Sequence, residues 1–133
     1  MKKLPNHILL KLTFVLLGVM ILMTSKALSQ DFIHEDDFKK KTSQGIVIVE
    51  FWAEFNKSNQ VNLKKLYDCK KYRVDMSLDP ALMVTHKVMA VPTLVLYNNG
   101  KEVKRFLPTL MMKLEDSIDD IQEEINNLVD DKF

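Results

Sequence analysis

An α/β domain, with helices packed on a mixed central sheet, is the fold class that this 133-residue sequence predicts. Three observations carry it. Ile46–Trp52 is apolar at every position but Glu50, and a run of this kind reads as a strand buried on both faces of a sheet covered by helices. A second strand, Cys69–Met76, follows after a helical stretch, and strand–helix–strand crossovers of this type are parallel and right-handed. Finally, Thr93–Tyr97 and Glu102–Leu107 flank Asn99-Gly100, the strongest short signal for an antiparallel hairpin.

The first 29 residues stand apart. Lys2, Lys3 and Lys11 make a basic start, Leu12–Met23 is apolar apart from Thr13 and Gly18, and Ala27-Leu28-Ser29 offers small residues for cleavage. This is the pattern of a secretory signal peptide, cut after Ser29. Only 14 residues separate Lys11 from Lys26, short of the ~20 that a spanning helix needs, so no stable membrane span is expected after cleavage. Residues 30–133 are then one domain, expected to be monomeric and exported, most simply to a bacterial periplasm. Taking the leader's four lysines from the chain's 19 basic residues leaves 15 against 18 acidic ones, or −3. That balance carries no nucleic-acid footprint. Cys69 is the single cysteine, so no intramolecular disulfide can form.

Along the domain, Phe32–Lys41 opens with Glu35, Asp36 and Asp37 and ends in Lys39–Lys41, the charge order that suits a helix dipole, with Gly45 as a stop. His34 and His86 each lack a second histidine or cysteine nearby; both read as solvated residues, and no metal is expected. After the first strand, Asn56 is a good N-cap and Asn56–Asn59 reads as the first turn of a helix, continued by Val61, Leu63, Leu66 and Tyr67 to Asp68. The second strand sets Tyr72, Val74 and Met76 on one face. Cys69, Lys71, Arg73 and Asp75 lie on the other, a polar set with room to reach water under a short covering helix. Pro80 begins a helix through Lys87, Val88–Val91 is a loop into Pro92, and Lys113–Val129 is a final helix with Leu114, Ile118, Ile121, Ile125 and Leu128 on its core face.

Two stretches resemble a known family. W-A-E-F-N-K-S-N, residues 52–59, is similar to the thioredoxin motif W-A-x-W-C-G-P-C, with Asn56 and Asn59 where the family has its cysteines. M-A-V-P-T-L-V-L-Y-N-N-G-K-E-V, Met89–Val103, resembles the second signature, in which Pro92 stands for the cis-proline. The resemblance implies a thioredoxin-like three-layer α/β/α sandwich. It also implies that Glu50 is the family's buried carboxylate, paired with Arg73. Trp52, Phe55, Val91, Pro92 and Thr93 are implied as the groove where an extended peptide adds as a strand. Pro108 stands where the family has a glycine, and the segment from Asn59 to Met76 is shorter by about two helical turns.

The chemistry departs from the resemblance. Disulfide exchange needs a thiolate to attack and a second thiol to resolve the mixed disulfide, and an asparagine amide supplies neither. Cys69 lies at a strand start, away from the Asn56 turn, and reads as a structural thiol whose reactivity stays open. The expectation is therefore an exported, redox-inactive protein, not an enzyme, without a cofactor. It binds a peptide or protein partner through the cis-proline groove in a chaperone-like or assembly role. Two alternatives stand beside it: a thiol-disulfide oxidoreductase acting intermolecularly through Cys69, or a degenerate structural domain.

Overall fold

A computed structural model describes residues 32–78 and 81–132, together with Pro5, Asn6, Ile8 and Lys11. The chain divides into two compact units, Met1–Gln30 and Asp31–Phe133. In the first, the Ile8 N–H donates to the Pro5 carbonyl at 2.9 Å. The expected cleavage site after Ser29 and the helix start at Pro80 lie outside the described residues. Among the described residues, no helix is long and apolar enough to cross a membrane.

The second unit runs α1 (Glu35–Thr42), β1 (Ile46–Trp52), 3-10 turns at Glu54–Asn59 and Leu63–Lys65, and β2 (Lys70–Asp75). It continues through α2 (Ala81–Thr85), β3 (Thr93–Asn98), β4 (Lys101–Phe106) and α3 (Ile118–Asp130). The four strands form one sheet in the order β2-β1-β3-β4. β1 and β2 are parallel, with Glu50 opposite Arg73, and the other two pairings are antiparallel. β1 is buried along its whole length, as its apolar run predicts.

Alternation along β1 sorts the core into two layers. Val47, Val49 and Phe51 pack with Phe38 of α1, Leu82 of α2, Val74 and Met76. Ile46 and Ile48 pack with Ile121 and Ile125 of α3 and with Val61, Leu63 and Leu66. The result is the three-layer α/β/α arrangement. Asn99 and Gly100 both have positive φ, 51° and 84°, the backbone a two-residue hairpin turn requires. The same turn is tied to the end of α1: the Gly45 N–H donates to Asn99 Oδ1 at 2.8 Å and the Asn99 N–H to the Gly45 carbonyl at 2.9 Å.

Three expectations need correction. No α-helix follows the motif; Val61, Leu63 and Leu66 are buried from an extended link and a single 3-10 turn, and Tyr67 is exposed. Asn56, Ser58, Asn59 and Asn62 crowd this segment, and such side chains offer the backbone local alternatives to helical bonding. The last helix begins at Ile118, five residues later than Lys113. Ser117 and Asp120 form a reciprocal capping box there, while Leu114 is held in a bridge to Pro108. His86 is not solvated: its ring lies 4.2 Å from that of Phe38 and 5.0 Å from Phe51, and Nε2 is 2.7 Å from the Glu35 carboxylate.

Candidate functional site: the motif turn and its methionine-walled cleft

The residues of the family motif sit where β1 ends. Asn56 is not a helix cap. It lies inside a 3-10 turn that begins after Ala53, with off-helical φ −112° and ψ 22°. Its buried side chain is a clasp instead. Nδ2 donates to the Val91 carbonyl at 3.1 Å and to the Met112 carbonyl at 2.9 Å, while Oδ1 accepts from Asn59 Nδ2 at 2.8 Å. Both amide hydrogens and the oxygen are therefore engaged, and three loops meet at one side chain. A cysteine at either position could make none of the N–H bonds. The asparagines supply polar ties where the family supplies thiols.

Below the clasp, Glu50 and Arg73 form the buried ion pair, with Arg73 Nε 2.5 Å from Glu50 Oε2. The pair brackets the backbone of a single residue: the Val61 N–H donates to Glu50 Oε1 at 2.8 Å and the Val61 carbonyl accepts from Arg73 Nη2 at 2.5 Å. So the ion pair fastens the extended link after the motif to the sheet. Burial pushes the Glu50 carboxyl above its ordinary value, opposed by the Val61 N–H and by Arg73. The polar face of β2 is thus satisfied internally, and the expectation that these charges reach water fails for Arg73, which is buried. Lys71 likewise turns in, donating to the Leu66 carbonyl at 2.7 Å.

The Val91–Pro92 peptide is cis. Of the five groove residues named from the sequence, Trp52, Val91, Pro92 and Thr93 are buried and only Phe55 is open, at 75% exposure. Thr93 Oγ1 donates to the Ala90 carbonyl at 2.7 Å, and the Val91 carbonyl already accepts from Asn56. The accessible feature is a neighbouring cleft of about 350 Å³, with Val91 and Ala53 in its lining and Phe55, Met76, Met83, Met89 and Met112 around it. The four methionines were not legible as a site, because they come from β2's end, α2, the cis-proline loop and the loop after β4. One signal was available: every methionine after residue 29 falls within positions 76–112.

A second cleft, of about 720 Å³, runs past Trp52 between Phe32, Glu35, Asp36 and Asp75. Trp52 Nε1 is buried with no hydrogen-bond partner among the described residues. Cys69 lines neither cleft. It is half-buried against the α3 layer, and burial pushes its thiol up to about 11 despite the nearby Lys71 ammonium. At pH 8 the thiolate fraction should be about a hundredfold below that of an unperturbed cysteine. Alkylation by iodoacetamide is accordingly expected to be about a hundredfold slower in the folded protein than in urea; equal rates would show the thiol to be free and reactive.

The fold finds counterparts among known proteins. No family model matches the chain. It is similar to thioredoxins from two strains of Staphylococcus epidermidis, 28% identical over 81 residues, spanning 55% of this chain and 78% of each relative. A thioredoxin variant from Halobacterium salinarum aligns in structure with a TM-score of 0.59 at 20% identity, covering 73% of this chain and 88% of that one. The thioredoxin of Malassezia sympodialis aligns with a TM-score of 0.51 at 21% identity, covering 74% and 90%. Identities this low speak for the fold alone. Together with the sequence relatives, they give this chain a thioredoxin-like fold and a likeness to thioredoxins, with its single cysteine, Cys69, outside the stretch of residues 52–59 that resembles the thioredoxin motif.

Proposed function

We propose that this protein is an exported, redox-inactive thioredoxin relative that binds an extended segment of a protein partner along the methionine-walled cleft. The observation that carries the reading is the engagement of Asn56: a position that serves catalysis in the family is committed here to three hydrogen bonds. Support for binding comes from the cleft itself, which pairs the exposed Phe55 ring with soft, unbranched methionine side chains. Such side chains adapt to varied apolar partners. The composition of residues 1–29 supports export. Because the Val91 carbonyl is already engaged by Asn56, the partner inserts side chains into the cleft and does not add as a strand at Val91.

The test uses a labelled polypeptide that has been reduced and alkylated, so that it stays unfolded and cannot exchange disulfides. Fluorescence anisotropy should report binding that is unchanged in Cys69→Ser. Phe55→Ala combined with Met89→Ala should weaken it at least about tenfold, equivalent to about 1.4 kcal/mol. In a dithiothreitol-coupled insulin turbidity assay the protein should not exceed the uncatalysed rate. Binding indifferent to the cleft substitutions, or turnover lost in Cys69→Ser, would count against the proposal.

A further inference from the structure

We propose that the cleft is also a modification site, at which Met89 and Met112 undergo reversible two-electron oxidation by a peroxide that makes the cleft polar and releases its occupant. Methionine distribution is the first support. All five methionines after residue 29 lie in or beside this one feature: Met76, Met83, Met89 and Met112 line it, and Met111 adjoins Met112. Exposure is the second. Met89 is 91% exposed, Met111 76% and Met112 42%, whereas Met76 is 5% exposed at the cleft's inner end. The cleft thus presents thioethers to solvent on its rim and shields one within.

The oxidant is hydrogen peroxide, and the protein supplies only the thioether. The thioether sulfur attacks one oxygen of hydrogen peroxide, an S–O bond forms and the O–O bond breaks. Sulfur gives up two electrons, and the departing hydroxide takes a proton to leave as water. An apolar, flexible side chain becomes a polar sulfoxide, in a cleft bounded largely by apolar atoms. Bound apolar side chains would then face an unpaired S=O dipole, which costs binding free energy. Methionine sulfoxide reductases reverse the step, so the change can act as a switch. Met112 adds a structural link, since its backbone carbonyl is one of the two held by the Asn56 amide.

The release of an occupant rests on the proposed polypeptide binding, whereas the oxidation pattern does not. The experiment treats the folded, full-length mature chain with a graded series of hydrogen peroxide concentrations and maps each added mass of about 16 Da by peptide mass spectrometry. Met89, Met111 and Met112 should react at least about tenfold faster than Met76. In parallel, affinity for the alkylated polypeptide should fall about tenfold, and the fluorescence of anilinonaphthalene sulfonate bound in the cleft should drop. Met89→Leu combined with Met112→Leu removes both oxidisable sulfurs, so whatever affinity and dye signal that variant starts with should not fall on peroxide treatment. Uniform oxidation including Met76, or full oxidation of Met89 and Met112 with dye fluorescence unchanged, overturns the inference. If the untreated protein binds no polypeptide, the proposed function fails, and the oxidation map with the dye signal still decides the inference either way.

Discussion

Replacing Arg73 by Met is expected to cost about 3–5 kcal/mol of stability at pH 7. The change removes no large apolar contact. What it does is leave the Glu50 carboxylate, which is 0% exposed, with the Val61 N–H as its remaining assigned donor, and it strips the Val61 carbonyl of the Arg73 bond. The sign of the pH dependence follows. Burial already raises the folded-state Glu50 carboxyl above 4.5, and loss of Arg73 removes an opposing attraction. A carboxyl whose folded value is raised favours the folded state at pH below its unfolded value, and that advantage is lost as pH rises through the folded value. The deficit of the variant should therefore shrink as pH falls from 7 towards 4.5. Adding Glu50→Gln should recover at least about half of the loss, because a neutral amide oxygen still accepts from Val61 and no buried charge is stranded. Urea unfolding of the three proteins at both pH values checks this. A double variant no better than Arg73→Met alone would show that packing, not charge, sets the cost.

The clasp at Asn56 predicts the next largest effect. Asn56→Ala removes both donors to Val91 and Met112 at a site that is 5% exposed, and should cost about 1–3 kcal/mol. Asn56→Asp should cost more, despite its near-identical shape, since a carboxylate would then face two carbonyl oxygens instead of donating to them. The damage should be local as well as global. Hydrogen exchange should quicken in the loop from Leu107 to Asp116, which the Asn56 bond to Met112 secures to the motif turn. Equal stability of the Ala and Asp variants would mean that the amide donors do no work there.

Sequence reading reached as far as local chemistry reaches. β1 was legible because burial on both faces leaves an uninterrupted apolar run, and the hairpin because Asn99-Gly100 supplies the positive φ angles that its turn needs. The Glu50–Arg73 pair was legible only through the family resemblance, since 23 residues separate the two and their register across β1 and β2 brings them together. Asn56 looked like a cap because asparagine favours that role locally. Its tertiary bonds, to carbonyls 35 and 56 residues away, won over that preference. For α3, the apolar spacing from Leu114 to Leu128 ran through the true start, and the Ser117–Asp120 box was the better guide. The cleft was least legible of all: four separate segments each contribute a methionine, and no single segment carries the pattern.

One titration tests the central claim most directly. With carbon-13 in the methionine methyl groups, residues 30–133 carry five reporters, four of them lining the cleft. Added alkylated polypeptide, incapable of thiol exchange, should shift the Met83, Met89 and Met112 methyl signals in a saturable manner. The Cys69→Ser variant should give the same curve. Methyl signals that stay unmoved while the polypeptide binds, or binding that disappears with Cys69, would contradict a redox-inactive partner-binding role for the cleft.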